Sequence, residues 1–201
     1  MQYLYNVRSL LGLWRWALRG FSLPVPPSVK RSFLIQRGLP NAVWIETGTY
    51  KGGTTEILAS FSIKVFSIEP NPVFFQRAKN RLATRKNVEI INAYSEDVIR
   101  TLLISVFGNV NFWLDGHYSG GSTYKGATNT PIIAELSAIA ENLNRLSNVR
   151  IFIDDVDCFF GQSSKSEGYP QLEYLTQWST SNGFEWGIEN NIFFMYRNKN
   201  F

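Results

Sequence analysis

Four short segments carry side chains that can do chemistry. The first is Glu46-Thr47-Gly48-Thr49-Tyr50-Lys51-Gly52-Gly53, between an apolar run and a helical pattern. Its glycines let the backbone turn tightly and approach a ligand, and the following helix offers free N–H groups. The segment has neither the G-x-x-x-x-G-K-[ST] phosphate-loop spacing nor the G-x-G-x-x-G dinucleotide spacing. Read alone, it is as consistent with a tight turn as with a ligand loop. The second is Glu69, which ends the next apolar run twenty-one residues after Gly48. A carboxylate there can accept hydrogen bonds from both hydroxyls of a ribose. Alternatively it is a surface acid at a strand end. The two features together are more specific than either alone.

The other two segments are acidic. Asp115-Gly116-His117-Tyr118 ends an apolar run and opens a loop reaching Thr130, and Asp154-Asp155, with Asp157 nearby, ends another. On neighbouring strands these carboxylates share one rim, where they repel unless protonated or bridged by a cation. All-oxygen donors suit Mg²⁺, Ca²⁺ or Mn²⁺, so Asp115, Asp154 and Asp155 are candidate metal ligands. Helix-capping and backbone roles are the alternative. His117 is the only histidine. With an ordinary pKa of about 6.5 it can act as a base, ligate a metal or simply hold the loop. Tyr118, Tyr124 and Lys125 are placed to line an entrance. Cys158 has no nearby positive field to make it reactive and reads as structural.

These segments need elements to position them. Strands are expected at Val43–Glu46, Lys64–Ile68, Val88–Ile91, Val110–Leu114 and Val149–Ile153. Helices are expected at Thr54–Phe61, Val73–Leu82, Glu96–Ile104, Ile132–Leu143 and Leu172–Trp178. Phe184–Ile188 and Ile192–Tyr196 flank a Glu-Asn-Asn turn and read as a hairpin. Alternating strands and helices imply a doubly wound, mostly parallel α/β sheet of seven strands, closed by the antiparallel hairpin, with helices on both faces. Ligands of such sheets sit at the carboxyl ends of the strands, where the four segments fall.

Length and composition agree. The chain has 201 residues, 44% hydrophobic and 18% charged, which fits one ordinary globular domain and argues against general disorder. One cysteine and one histidine exclude an internal disulfide and a Cys/His zinc cluster. No run reaches the ~18 apolar residues of a membrane span. The net charge of +4 is uneven: six basic and no acidic residues precede Glu46, and from Glu46 onward there are fourteen basic against sixteen acidic residues. A uniformly basic nucleic-acid surface is therefore not implied.

The head, residues 1–28, reads apart from the body, 29–201. Tyr3, Leu4, Val7, Leu10, Leu11, Trp14, Leu18 and Phe21 recur at helical spacing with arginines between them. Two readings stand: a helix lying on an anionic membrane through residues 2–21, or a helix that packs on the domain or caps a cleft. Pro24, Pro26 and Pro27 then make a stiff connector.

On these residues the chain resembles the class I S-adenosylmethionine-dependent methyltransferases over about residues 40–197. Trp44 to Gly53 is similar to their first motif, especially the E-T-G-x-x-x-G-G form of the macrocin-type O-methyltransferases. The resemblance implies cofactor contacts at Glu46, Gly48, Tyr50, Gly52, Glu69 and Asp115, with Ser95 and Glu96 flanking the adenine. It implies a divalent ion, Mg²⁺, at Asp115, Asp154 and Asp155. Catechol-type relatives carry a lysine three residues after the first metal aspartate. Here that position is Tyr118, which leaves His117 or Asp115 as the expected catalytic base. The long Gly116–Thr130 loop is similar to bacterial methyltransferase-like proteins associated with surface sugars.

The expected reaction is metal-assisted O-methylation of a small molecule or glycan. Two rivals remain: a nucleotide-sugar glycosyltransferase using Asp155-Val156-Asp157 as a D-x-D motif, and a non-catalytic cofactor-binding module. The expected setting is cytoplasmic, peripheral at the inner membrane face, with no nucleic-acid partner and with self-association as a homodimer.

Overall fold

A computed structural model describes residues 7–116, 130–161 and 166–198. The fold is a seven-stranded sheet in the order β3-β2-β1-β4-β5-β7-β6. Five parallel strands lead: β1 (Val43–Thr47), β2 (Lys64–Ile68), β3 (Val88–Ile91), β4 (Gly108–Leu114) and β5 (Leu146–Ile153). The hairpin β6 (Glu185–Glu189) and β7 (Ile192–Arg197) adds antiparallel to β5. Its two-residue turn holds Asn190 and Asn191 at φ 56° and 61°. These left-handed values match the natural twist of a hairpin, and asparagine tolerates them. The seven-stranded, mostly parallel sheet with its antiparallel hairpin is the architecture expected from the strand pattern.

Helices α3 (Gly53–Ala59), α4 (Pro72–Arg81), α5 (Ser95–Ile104), α6 (Ile132–Asn142) and α7 (Leu172–Ser181) fall close to their expected places. Asn71 caps α4 by accepting hydrogen bonds from the N–H groups of Val73 and Phe74. In the head, α1 spans Val7–Leu18. A second helix there, α2 (Pro27–Arg37), falls where only a connector and the start of the body were expected. Its signal was present: Pro27 opens it in the first turn and Gly38 follows its last residue. Among the described residues, no helix is long and apolar enough to cross a membrane.

Strand alternation divides the core. Ile45, Phe112, Leu114, Ile151 and Ile153 pack toward one side with Ile99 and Leu103 of α5 and Leu136 and Ile139 of α6. Trp44, Val65, Trp113 and Phe152 pack toward the other with Phe33 and Leu34 of α2 and Leu58 of α3. Thus α2 is a structural wall of the domain.

One row on the second side is polar at its start. Ser67, Glu46, Trp113, Phe152 and Phe194 are register partners across β2, β1, β4, β5 and β7. Glu46 is fully buried. Its Oε2 accepts hydrogen bonds from Ser67 Oγ and Thr55 Oγ1, each at 2.6 Å. Thr49 Oγ1 lies 2.5 Å from Ser67 Oγ. With Ser67 donating to Glu46, Thr49 donates to Ser67, and the glycine-rich turn is tied to the sheet through two hydroxyls.

Burial pushes the Glu46 carboxyl up to about 7 from 4.5, against the hydroxyl bonds and the Arg31 charge that favour ionisation. A carboxyl whose folded pKa lies above its unfolded one stabilises most below about pH 4.5, and the contribution fades as pH rises through about 7. Glu46→Gln, which keeps the shape without the charge, is expected to lose this slope. Relative to wild type it gains on the order of 2 kcal/mol, or roughly 5 °C in Tm, between pH 5 and pH 8. Thermal unfolding across that range checks it, and parallel pH profiles for the two proteins would contradict it.

Candidate functional site

The strand order reverses between β1 and β4, whose neighbours lie on opposite sides. Connections leave these strands in different directions, so a crevice opens at their carboxyl ends. Gly48 and Asp115 sit there, each one residue beyond its strand. Gly48 has φ +85°, and a Cβ on it would lie 2.4 Å from the carbonyl oxygen of Asp115. Glycine is therefore required twice, by conformation and by contact. Asp115 N–H donates to the carbonyl of Thr47, which holds the two strand ends together.

A cleft of about 210 Å³ opens beside this contact. Gly48, Thr49 and Tyr50 line one side, Trp113, Asp115 and Asp154 another, and Val25, Lys30 and Arg31 close it from the head. The structure thus brings together Gly48, Tyr50, Asp115 and Asp154 of the expected site. Glu46 lies outside the lining and supports the turn from behind through Ser67 and Thr49. Gly52, also outside the lining, has φ +73° and precedes α3.

Glu69 forms a second station on the same rim, at the end of β2. Its Oε2 accepts from Tyr50 N–H at 2.6 Å and its Oε1 from Asn71 N–H at 2.9 Å. Burial raises its pKa, and these two backbone bonds oppose the rise. Each oxygen keeps a further lone pair for a ligand hydroxyl. The exposed Tyr50 ring stands edge-on to Phe74, with centroids 4.5 Å apart. Asn92 Nδ2 donates to the carbonyl of Glu69 and ties the end of β3 to that of β2. Ser95 is buried at the start of α5, with Glu96 half-buried beside it; both lie at the β3 end and outside the cleft lining.

The sequence reasoning missed two basic residues on α2. Arg31 Nε donates to Thr54 Oγ1 at 3.2 Å, and burial lowers the pKa of its guanidinium while the Glu46 charge opposes the change. A Cβ on Gly53 would lie 2.8 Å from Arg31 Nη2, so the last glycine of the turn makes room for this cation. Lys30 Nζ lies 2.5 Å from Asp154 Oδ1 and 2.9 Å from Asp155 Oδ1. Burial works against its ammonium, but the two aspartates outweigh burial and raise its pKa. No local pattern marks this contact, which joins residues more than 120 positions apart.

Lys30 occupies part of the expected metal centre at Asp115, Asp154 and Asp155. The rim does need a cation, but the chain supplies one covalently. A divalent ion on Asp154 and Asp155 would have to displace the ammonium, so the donors as arranged do not fit a metal. Among the described residues, no group of three His, Cys, Asp or Glu side chains is set to hold one. The D-x-D reading also changes: Asn191 Nδ2 donates to both Asp155 Oδ1 and Asp157 Oδ1, and Asn191 Oδ1 accepts from Asp157 N–H. That motif clamps the β6–β7 turn. Cys158 is buried. His117, Tyr118, Tyr124 and Lys125 lie outside the described residues.

Two buried polar atoms beside the cleft have no hydrogen-bond partner among the described residues: Glu46 Oε1 and the Trp113 indole N–H. Their residues face each other across β1 and β4. Strand parity could have paired them, because Glu46 alternates with Trp44 and Trp113 faces the same side.

Removing Lys30 should expose the acidic rim. Lys30→Met is expected to cost about 3 kcal/mol, because it leaves two carboxylates without their counter-charge. Mn²⁺ should restore much of the lost Tm in this variant and leave wild type unchanged. An equal Mn²⁺ shift in wild type would mean that the ion displaces Lys30.

No family model matches the chain, and no curated protein matches it. Solved structures do resemble it. A Streptococcus mutans protein described as a methyltransferase, in complex with SAH (S-adenosylhomocysteine), aligns over 87% of this chain and 98% of its own, with TM-score 0.54 and 17% identity. A Clostridium thermocellum protein described as an rRNA methylase aligns over 89% of this chain and 100% of its own, with TM-score 0.58 and 12% identity. A precorrin-6y C5,15-methyltransferase of Geobacter metallireducens aligns over 86% and 88%, with TM-score 0.56 and 13% identity. At these identities the likeness is one of fold: this chain has the Rossmann-like fold of class I methyltransferases.

Proposed function

We propose that the chain transfers a methyl group from S-adenosylmethionine to a hydroxyl of a small molecule or glycan. The observation that carries this reading is the pairing of the Gly48 turn, pressed on Asp115, with the pre-set carboxylate of Glu69 on the same rim. A carrier with a ribose diol suits Glu69, whose free lone pairs point to hydroxyl donors. The Gly48–Asp115 contact leaves backbone, rather than side chain, facing the crevice. Fold likeness to a protein bound to SAH supports the same carrier class.

Bound S-adenosylmethionine brings a methyl group already joined to a good leaving group, so the protein's part is positioning and proton removal. Glu69 holds the ribose end, and Ser95 and Glu96 flank the base from the neighbouring strand end. Asp115, which lines the cleft beside the turn, or His117, two positions on in the sequence, takes the proton of the acceptor hydroxyl. Lys30 balances Asp154 and Asp155, which keeps the rim from repelling an ionising hydroxyl. The half-buried Arg31 guanidinium adds positive charge along the cleft wall.

The acceptor reading rests on charge. Some structural relatives are described as rRNA methylases, which brings nucleic acid forward as an acceptor class. From Glu46 onward, however, this chain has fourteen basic and sixteen acidic residues. That balance offers no broad basic surface for a phosphate backbone.

Calorimetry with S-adenosylhomocysteine tests the carrier. Micromolar binding is expected, weakened about tenfold or more by Glu69→Gln, the scale of a hydrogen bond to a charged group. Equal binding by Glu69→Gln would remove Glu69 from the ribose role. Binding of a uridine diphosphate sugar, with none of S-adenosylhomocysteine, would replace this reading with glycosyl transfer.

A further inference from the structure

We propose that α1 is a membrane-surface anchor that lies flat on a bilayer containing anionic phospholipid. The proposal is independent of the methyl-transfer reading. It begins from an apolar face that the domain leaves uncovered. Leu10, Leu11, Trp14 and Leu18 are each at least half exposed, with Trp14 at 63% and Leu18 at 67%. Phe21, just beyond the helix, is 64% exposed. Soluble chains scatter single exposed apolar residues, but a contiguous group of this kind marks an interaction surface.

The arrangement on the helix says which surface. At about 100° per residue, Leu10, Trp14, Leu18 and Leu11 fall within roughly 100° of arc. Arg15 lies about 40° beyond Leu11, and Arg19 about 40° further. Ser9, Gly12, Leu13 and Trp16 occupy the opposite side and are half-buried. So α1 shows solvent an apolar stripe and carries basic residues along one flank of that stripe. A helix in the plane of a bilayer needs this order: apolar side chains sink below the headgroups while arginines at the border reach the phosphates.

Length and charge narrow the occupant further. The twelve described residues of α1 measure about 18 Å against a hydrocarbon core of about 30 Å, and among the described residues no helix is long and apolar enough to cross a membrane. The amphipathic stripe suits a helix lying on the surface. No acidic residue precedes Glu46. A patch with arginine on its border and no carboxylate along its own segment matches a negatively charged lipid surface. The geometry at the helix end is also fixed: Trp16 Nε1 donates to the Ser22 carbonyl at 2.9 Å, and Arg19 Nη2 to the Pro24 carbonyl at 3.2 Å. Phe21 stands edge-on to Trp16 at 5.1 Å. These contacts hold Phe21 at the end of α1.

The test is co-sedimentation of the full chain with vesicles of phosphatidylcholine alone and of phosphatidylcholine mixed with phosphatidylglycerol. Binding is expected to the mixed vesicles and to be much weaker to phosphatidylcholine alone. Trp14→Glu/Leu18→Glu should abolish it. Arg15→Gln/Arg19→Gln should weaken it roughly thirtyfold, from about 1 kcal/mol for each arginine at an anionic surface, and added salt should do the same to wild type. All four positions are exposed, so circular dichroism should show folded variants. Ile188→Glu, an exposed apolar position on the far hairpin, should bind like wild type. No binding to mixed vesicles would overturn the proposal. So would a wild-type dimer in lipid-free solution that Trp14→Glu/Leu18→Glu converts to monomer, because the stripe would then belong to a second copy. Equal loss in Ile188→Glu would also overturn it, by showing that attachment is not through α1.

Discussion

The ion pair of Lys30 with Asp154 and Asp155 organises the functional end of the molecule. Parallel strands deliver their carboxyl ends to one rim, and here that rim is acidic at β4 and β5. Without a positive partner, carboxylates this close would take up protons or push apart. Lys30 supplies the charge from α2, and its seat requires α2 to lie across the sheet. Once α2 is there, Phe33 and Leu34 complete the core over Trp44 and Phe152. Arg31, one residue on, reaches the β1–α3 turn, where Gly53 leaves it room. One charge requirement thus links the placement of a helix, half of the hydrophobic core and a wall of the cleft.

The other constraint is steric. Gly48 and Asp115 touch backbone to backbone at the point where the sheet reverses direction. A crevice arises there from topology alone, because the connections from β1 and β4 diverge. Glu46, Ser67 and Thr49 fix the turn from within the sheet, while Glu69 fixes Tyr50 from the neighbouring strand. The turn is held at both ends before any ligand arrives. Such pre-organisation lowers the ordering cost of binding.

These constraints were unevenly visible in the amino-acid sequence. The strand ends were legible because apolar runs are local, and Gly48, Glu69, Asp115 and Asp154 follow directly from where those runs stop. The hairpin was legible because Asn190-Asn191 suits only a tight turn. By contrast, α2 has few apolar positions and follows two prolines, so it read as connector despite Pro27 at its start and Gly38 at its end. Lys30 could not be paired in advance, since its partners lie far along the chain and only the folded sheet brings them near. A metal was inferred because the need for a cation was readable and its covalent source was not. Glu46 is a related case: strand parity puts it on the face of Trp44, but only the cover of α2 and α3 turns that face into core.

The fold is shared with structures described as acting on ribosomal RNA and on a precorrin, so the sheet and its crevice do not choose the acceptor. Choice must come from what is attached to the crevice. In this chain the attachments are α2, with Pro27, Lys30 and Arg31 in the wall, and the segment before it, whose Val25 also lines the cleft. The same short segment joins the cleft to the exposed stripe of α1, with Leu18 and Val25 only seven residues apart. Three prolines in that neighbourhood stiffen the link. The exposed stripe of α1 and the mouth of the cleft are thus the two ends of one short, proline-bearing segment.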